Sequence, residues 1–269
     1  MVQCRHCGLD CQVAQNPTLK KESSMEKFVV GTRFFESKAE NAEASLRKLR
    51  AFVLGALASG AEKVYVAVNV AEDKSGAMEA EWGERVTVFG VQPWGKFVMP
   101  LNAILLAARK ELAGGAGMLF ASTEVVLTTD TVSTLMQHMD NETSVVGAAM
   151  VGHNFQPGYE GKADGRQFPW NTFSLWNRYI YITGFPIIGD GIPENPSTAG
   201  VEELVAGAVL ESLYGCTAKL VQIEGVSWDT SGFDPERLKK HEAKMETKIP
   251  RPKAQLEWAQ LSEPTVIHI

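Results

Sequence analysis

Short and almost wholly apolar runs recur along this chain, and they alternate with longer segments whose apolar residues repeat at helical spacing. The clearest run covers 63–69, KVYVAVN, and the clearest amphipathic segment covers 42–58. A strand that is apolar on both faces is typical of a parallel sheet covered by helices. The order strand, helix, strand, strand, helix, strand, helix, strand predicts an α/β fold. We expect one mostly parallel, twisted, Rossmann-like sheet flanked by helices, with right-handed crossovers.

The same patterns place the individual elements. Strands are predicted at 27–32, 63–69, 85–91, 118–127, 144–151 and 219–225, and helices at 42–58, 99–112, 132–139, 200–215 and 234–248. Asp130 is the predicted cap of the third helix, and Pro250 and Pro252 are predicted to break the last one before a short apolar end. Residues 152–171 predict a surface loop, and 172–183 are aromatic and β-prone.

The chain shows no internal repeat and no clear linker, so a single folded domain is favoured. Residues 1–25 are polar and without a period, which predicts a loose N-terminal extension. The α/β domain is expected over 26–232, and a charged helical tail over 233–269.

The overall charge narrows the class of partner. The formal net charge is -6, which argues against nucleic-acid binding because phosphate contacts need a basic surface. No run approaches the roughly 20 apolar residues that cross a bilayer, and the N-terminus lacks the apolar core of a secretory signal. The expected location is cytoplasmic, and peripheral membrane association stays open.

Three of the four cysteines lie close together in the N-terminal extension. Cys4, Cys7 and Cys11 have the short spacing of a zinc knuckle. A closed structural zinc site takes four ligands, usually from two clusters, and the sequence has no second cluster. Free thiols in a loose extension are therefore favoured over a metal site.

A polar triplet, Ser122-Thr123-Glu124, interrupts the apolar run at 118–127. Burying an unpaired carboxylate is costly, so Glu124 is expected near the strand end, exposed or partnered. A carboxylate at a strand end suits a hard divalent cation. A hydrogen-bonded structural role explains the residue equally well.

Two adjacent acids open the predicted helix at 200–215. If Gly200 is the N-cap, Glu203 is the third helical residue and can close a capping box. The alternative is that Glu202 and Glu203 face a ligand cleft at the carboxyl ends of parallel strands. Lys96, just before another predicted helix, is a candidate phosphate contact.

These motifs resemble a known family. Asn102 lies near the start of a helix, an apolar strand leads to Ser122-Thr123-Glu124-Val125-Val126-Leu127, and Glu202-Glu203-Leu204-Val205-Ala206-Gly207 opens a helix that ends at Gly215. The order and spacing of these motifs are similar to those of glycosyltransferases of the GT-A fold. In pattern the chain most resembles the family-2 group of inverting, nucleotide-sugar-dependent enzymes. The resemblance covers roughly residues 26–230.

The resemblance implies transfer of a sugar from a nucleoside diphosphate to an acceptor hydroxyl with inversion. It implies Glu203 as general base, beside Glu202, and Glu124 as ligand of Mg²⁺ or Mn²⁺. Ser122 stands where the family has the first Asp of its metal motif, and Glu124 and Glu203 stand where it has Asp. The residues implied to hold the donor nucleotide are Thr32, Arg33, Asn69, Asp73, Lys96, Asn102 and Ser122.

Two other functions stay open. One is a GT-A-like chain that binds a nucleotide, sugar or protein without catalysis, for which Ser122 is the best support. The other is a sugar-phosphate nucleotidylyltransferase, because Gly31-Thr32-Arg33 resembles the Gly-Thr-Arg of those enzymes. The acceptor is not indicated by any motif.

Overall fold

The predicted α/β architecture is confirmed in the computed structural model, which describes residues 25–35, 42–69, 82–226 and 235–269. Within these residues the strands form a nine-stranded sheet. The strands are β1 (Phe28–Phe34), β2 (Val64–Asn69), β3 (Val86–Val91), β4 (Gly117–Ala121), β5 (Thr143–Ala148), β6 (Glu160–Lys162), β7 (Phe173–Trp176), β8 (Thr217–Val221) and β9 (Thr265–His268). The helices are α1 (Ala42–Ala58), α2 (Val98–Ala107), α3 (Arg109–Ala113), α4 (Thr129–Gln137), α5 (Ile180–Thr183), α6 (Glu202–Tyr214), α7 (Pro235–Glu246) and α8 (Pro250–Ala259).

The strand order is β3-β2-β1-β4-β7-β5-β8-β9-β6. Most neighbours are parallel, while β7 is antiparallel to both β4 and β5, and β6 is antiparallel to β9. Strands β2 and β3 lie on one side of β1, and β4 lies on the other. The chain order thus reverses at β1, and open α/β sheets bind ligands at the carboxyl ends of the strands beside such a reversal.

The two faces of the sheet are covered by separate apolar clusters. Val29 and Ala67 point into one cluster, with α2 and α6, whereas Val30 and Val66 point into the other, with α1 and α4. This alternation follows from the two-residue period of a strand. Because both faces are buried, the strands read as continuous apolar runs.

Several predicted boundaries were wrong for local reasons. The strand at 118–127 ends at Ala121, because the backbone turns and the Val125 N–H donates to the Ser122 carbonyl at 3.0 Å. Thr128, not Asp130, caps α4, since its Oγ1 accepts the Thr131 N–H at 3.2 Å. The helix at 99–112 divides at Ala108 into α2 and α3.

The C-terminal region differs most from its prediction. Pro250 begins α8 instead of ending a helix, which fits because the first helical residue needs no N–H donor. The apolar end forms β9, parallel to β8. The segment 152–171, predicted as a surface loop, contributes β6 and the buried Phe168 and Trp170. Residues 172–183 divide between β7 and α5.

The structure bears only in part on the predictions for the N-terminal cysteines, the domain boundaries and membrane-spanning segments. Cys4, Cys7 and Cys11 lie outside the described residues, and the domain boundaries stay predictions. Among the residues that are described, no helix is long and apolar enough to cross a bilayer.

Helix α2 is capped by a residue far away in the sequence. The Asp190 carboxylate accepts the backbone N–H groups of Phe97 at 2.6 Å and Val98 at 2.9 Å. It thereby satisfies two donors that the start of a helix leaves without partners, and it places negative charge at the positive end of the helix dipole.

Replacing Asp190 by Ala is therefore expected to lower the free energy of unfolding by about 1–2 kcal/mol, the usual cost of losing a helix cap. Asp190→Asn, which keeps one acceptor oxygen, should cost less. Urea unfolding at neutral pH measures both variants. Equal stability of the wild type and Asp190→Ala would show that the carboxylate does not stabilise the helix.

Candidate functional site

A cavity of about 420 Å³ opens at the carboxyl ends of β1 and β4, next to the start of α6. Its position is the one expected from the reversal of strand order at β1. The polar and charged side chains that line it are Thr32, Arg33, Ser122, Glu124, Asn171, Thr172, Glu202, Glu203, Lys244, Lys248 and Arg251. The structure thus brings together six of the predicted site residues, from three separate parts of the sequence.

The start of α6 differs from the predicted capping box. The N-cap residue is Val201, which adopts the left-handed conformation with φ 63° and ψ 35° and makes no side-chain cap hydrogen bond. Gly200 precedes the cap at φ 102°, and a Cβ there would lie 2.5 Å from Arg251 Nη1. Glu203 is therefore the second helical residue. A β-branched residue in this conformation is strained, and such strain is typical of functional sites.

The Glu203 side chain is buried, with only 4% of the residue exposed. Burial, and next the neighbouring Glu202 carboxylate, raise the pKa of Glu203 to about 7. Lys248 Nζ lies 4.0 Å from Glu203 Oε1 and favours its charged form. The result is a carboxylate that exchanges its proton near neutral pH, as a general base requires.

Glu202 is buried as well, with 3% exposed, but it has different partners. Arg33 Nη1 lies 3.6 Å from Glu202 Oε1, and the Asn171 amide donates to the same oxygen at 3.4 Å. A second hydrogen bond fixes the orientation of the Asn171 amide, because its Oδ1 accepts the Trp176 indole N–H at 3.0 Å. Glu202 is thus held within a polar network, while Glu203 faces Lys248.

Lys248 lies between the carboxylates and an aromatic ring. Its Nζ is 3.6 Å from the centroid of Trp170. Burial lowers the pKa of the Lys248 ammonium to about 8, although Glu203 and Glu202 oppose that shift. Each of Glu203 and Lys248 favours the charged form of the other, so the two groups titrate as a coupled pair.

Two predicted nucleotide-contacting residues, Thr32 and Arg33, line the cavity from β1. Thr32 is 1% exposed, and its Oγ1 has no hydrogen-bond partner. Arg33 donates from Nη1 to the Phe97 carbonyl at 3.1 Å, and its guanidinium lies 5.9 Å from the Phe97 ring centroid. A buried hydroxyl without a partner is costly, so a polar ligand atom that met Thr32 would be stabilised there.

The remaining predicted site residues are placed outside the cavity lining. Lys96 Nζ donates to the Pro196 carbonyl at 2.7 Å, and Asn102 clamps the Phe185 backbone with hydrogen bonds of 2.8 and 2.9 Å. Asn69 ends β2 and also lies outside it. Asp73 lies outside the described residues. The predicted roles of these residues stay predictions.

The donor groups of the cavity do not fit a divalent cation. Ser122 Oγ donates to Glu124 Oε2, so this carboxylate already has a partner. Glu202 and Glu203 face Arg33 and Lys248. Across residues 25–35, 42–69, 82–226 and 235–269, no three His, Cys, Asp or Glu side chains are grouped as metal ligands. Binding of a metal by Glu124 stays a prediction.

Five polar or charged lining residues were missed from the sequence: Asn171, Thr172, Lys244, Lys248 and Arg251. The three cations come from the C-terminal segment, which was interpreted as a charged helical tail. A charged helix usually has a solvated face, and no pattern there shows which lysines turn inward. The one available signal was the four-residue spacing of Lys244 and Lys248, which would place both on one face of the predicted helix at 234–248, whereas α7 ends at Glu246.

Known proteins resemble this chain only in structure. No protein-family model matches it, and no curated protein sequence does. A mannosyltransferase from Pyrobaculum calidifontis, solved in complex with GDP-Man and Mn²⁺, is 13% identical with a TM-score of 0.46, over 89% of this chain and 72% of that chain. A 4-diphosphocytidyl-2C-methyl-D-erythritol synthase from Anaerococcus prevotii is 10% identical with a TM-score of 0.43, over 82% and 99%.

A nucleotidyl transferase from Methanothermobacter is 19% identical with a TM-score of 0.34, over 58% of this chain and 74% of that chain. Glycosyltransferases and nucleotidyltransferases are thus among the solved structures that the chain resembles.

Proposed function

We propose that this protein transfers a sugar from a nucleoside-diphosphate donor to an acceptor hydroxyl, with inversion at the anomeric carbon. The observation that supports it best is the buried Glu203 carboxyl, facing a basic cavity at the carboxyl ends of β1 and β4. The cavity combines a group able to accept a proton with cations able to hold an anion. Both are needed for this reaction.

The charges of the lining suit an anionic donor. Among the described residues the lining carries four cations, from Arg33, Lys244, Lys248 and Arg251, and three carboxylates. Glu203 adds to the positive surplus whenever it is protonated, below about pH 7. Thr32 supplies a buried hydroxyl without a partner, which suits a ribose or phosphate oxygen.

Glu203 has the chemistry of the base in such a transfer. As the acceptor oxygen forms its bond to the anomeric carbon, its proton passes to Glu203, and the departing diphosphate takes the electron pair of the broken bond. A base with a pKa near 7 is both available and effective at neutral pH. The neighbouring Glu202 carboxylate, held by Arg33 and Asn171, raises the pKa of Glu203 and so its basicity.

Calorimetric titration with UDP, GDP, ADP and CDP tests the donor class. At least one of them should bind with a Kd in the micromolar range, and the corresponding free nucleoside should bind far more weakly, because it lacks the diphosphate. The matching nucleotide sugar should then release its nucleoside diphosphate in a turnover assay with added acceptors. Failure of all four nucleotides to bind would overturn the proposal.

One observation favours a second candidate, a protein that binds a nucleotide sugar without turning it over. Glu203 is close to Lys248, and Glu124 accepts from Ser122, so both acids already have partners. Tight binding without product, followed by NMR over a long incubation, would support this candidate. Release of pyrophosphate from a nucleoside triphosphate and a sugar phosphate would instead identify a nucleotidylyltransferase.

A further inference from the structure

The cations of the cavity come mainly from one segment, the helix pair α7–α8. Lys244 and Lys248 line the cavity, and Lys244 Nζ lies 5.4 Å from the centroid of the Phe97 ring, which Arg33 approaches at 5.9 Å. The positive side chains therefore converge from two sides on one region, between Phe97 and the start of α6. An anionic group bound there would meet three cations.

The helix pair is fixed on the cavity by many contacts. Arg251 donates to the Ala199 carbonyl at 2.6 Å and to the Lys244 carbonyl at 2.8 Å, and Arg166 donates to the Met245 carbonyl at 2.8 Å. Gly165 contacts the Lys248 carbonyl so closely that a Cβ would lie 1.9 Å from it. Arg251 is thus a positioning residue, and the backbone that carries Lys244 and Lys248 is held in place before any ligand arrives.

The acids at the end of β4 offer much less to a metal. Ser122 has no carboxylate, and its hydroxyl donates to Glu124. The cation set and the acid set together favour neutralisation of a bound anion by protein side chains instead of a metal. Fixed ammonium and guanidinium groups stabilise phosphate charge through short charge-assisted hydrogen bonds.

We infer that Lys244, Lys248 and Arg33 bind the diphosphate of the donor directly, and that this binding needs no divalent cation. The inference rests on the proposed function, since it concerns the same donor. During transfer the bond between the anomeric carbon and the diphosphate oxygen breaks, and the oxygen keeps the electron pair. The lysines are then the groups that balance the new negative charge.

Calorimetric titration of the full chain tests this with inorganic pyrophosphate and with UDP, GDP, ADP and CDP, each in excess EDTA and in excess MnCl₂. At least one nucleoside diphosphate should bind in EDTA, with a Kd within about threefold of its Kd in Mn²⁺, since a factor of three is under about 1 kcal/mol. Lys244→Gln should raise the Kd about tenfold, the effect of one lost charge-assisted hydrogen bond.

Lys253→Gln is the matched control, because Lys253 is an exposed lysine of α8 that does not line the cavity. Its Kd should equal that of the wild type. Binding that requires Mn²⁺, or an unchanged Kd in Lys244→Gln, would overturn this inference while the proposed function stands. Absence of nucleotide binding both with EDTA and with Mn²⁺ would overturn the proposed function, and this inference with it.

Discussion

Glu203→Gln is expected to lower turnover by about 100-fold or more, within the range of about 10²–10⁴ that general-base catalysis contributes. Glutamine has the same shape but cannot accept the acceptor proton, so donor binding should change little. Steady-state kinetics of the wild type and the variant, with donor Kd from calorimetry, separate these effects. Glu257→Gln is the control, since Glu257 is exposed and lies outside the cavity. Unchanged turnover in Glu203→Gln would exclude Glu203 as the base.

The pH dependence of turnover gives a second signature of the same residue. The wild-type rate should rise as pH passes through about 7, where Glu203 loses its proton, and fall above about 8, where Lys248 loses its own. Because the two groups interact, the apparent pKa values belong to the pair. Glu203→Gln should abolish the rising part of the profile.

The same pKa shifts predict how stability changes with pH. The folded-state pKa of Glu203 is raised above its ordinary 4.5, so the folded protein binds the proton more tightly and loses stability as pH rises from 4.5 to about 7. The pKa of Lys248 is lowered from 10.5 to about 8. The folded protein therefore gains stability as pH rises from about 8 to 10.5. Urea unfolding between pH 4.5 and 10.5 should show the free energy of unfolding fall up to about pH 7 and rise above about pH 8. In Glu203→Gln the fall up to about pH 7 should be absent.

Gly165→Ala is expected to lower the free energy of unfolding by about 1–3 kcal/mol, the cost of overpacking, and to weaken diphosphate binding. The new Cβ would lie 1.9 Å from the Lys248 carbonyl oxygen and 3.1 Å from Pro252 Cγ. A backbone carbonyl cannot rotate away, so the junction of α7 and α8 must move. The cations that it carries would then leave their positions. Urea unfolding and calorimetry measure the two effects.

Gly114→Ala is the matched control for this change. It also adds one methyl group, but the nearest atom is the Glu111 carbonyl oxygen at 3.2 Å, within its own helix turn and far from the cavity. It should leave nucleotide binding unchanged. If Gly165→Ala bound the nucleotide as tightly as the wild type, the position of the helix pair would not matter for the ligand.

The sheet was predictable because its strands are buried on both faces. Strand β2 and helix α1 follow from an apolar run and a helical period, and both formed within a residue or two of the predicted bounds. The start of α6 was displaced by one residue, because the N-cap is Val201 in a left-handed conformation, which a β-branched residue rarely adopts and no local pattern predicts. Strand β9 was missed because four residues carry too little pattern to predict a strand.

The site was partly predictable for a geometric reason. Residues 32, 33, 122, 124, 202 and 203 lie near the carboxyl ends of strands or the start of the following helix, and such positions meet at one edge of an α/β sheet. Lys248 could not be assigned in this way. Its position depends on Gly165 and Arg166, which are far from it in the sequence, and no local period encodes such a contact.

The order of elements along the chain has a consequence for biosynthesis. Glu202 and Glu203 leave the ribosome before Lys248 and Arg251, and β9, which pairs with β8 beyond the helix pair, follows later still. Arg33, which faces Glu202, is made early, but Glu203 emerges before Lys248, so α6 cannot bury the Glu203 carboxylate beside its counter-charge until the helix pair docks. The Glu203 carboxylate would stay hydrated during elongation, and the cavity would gain the Lys244, Lys248 and Arg251 side chains only after the helix pair had been translated.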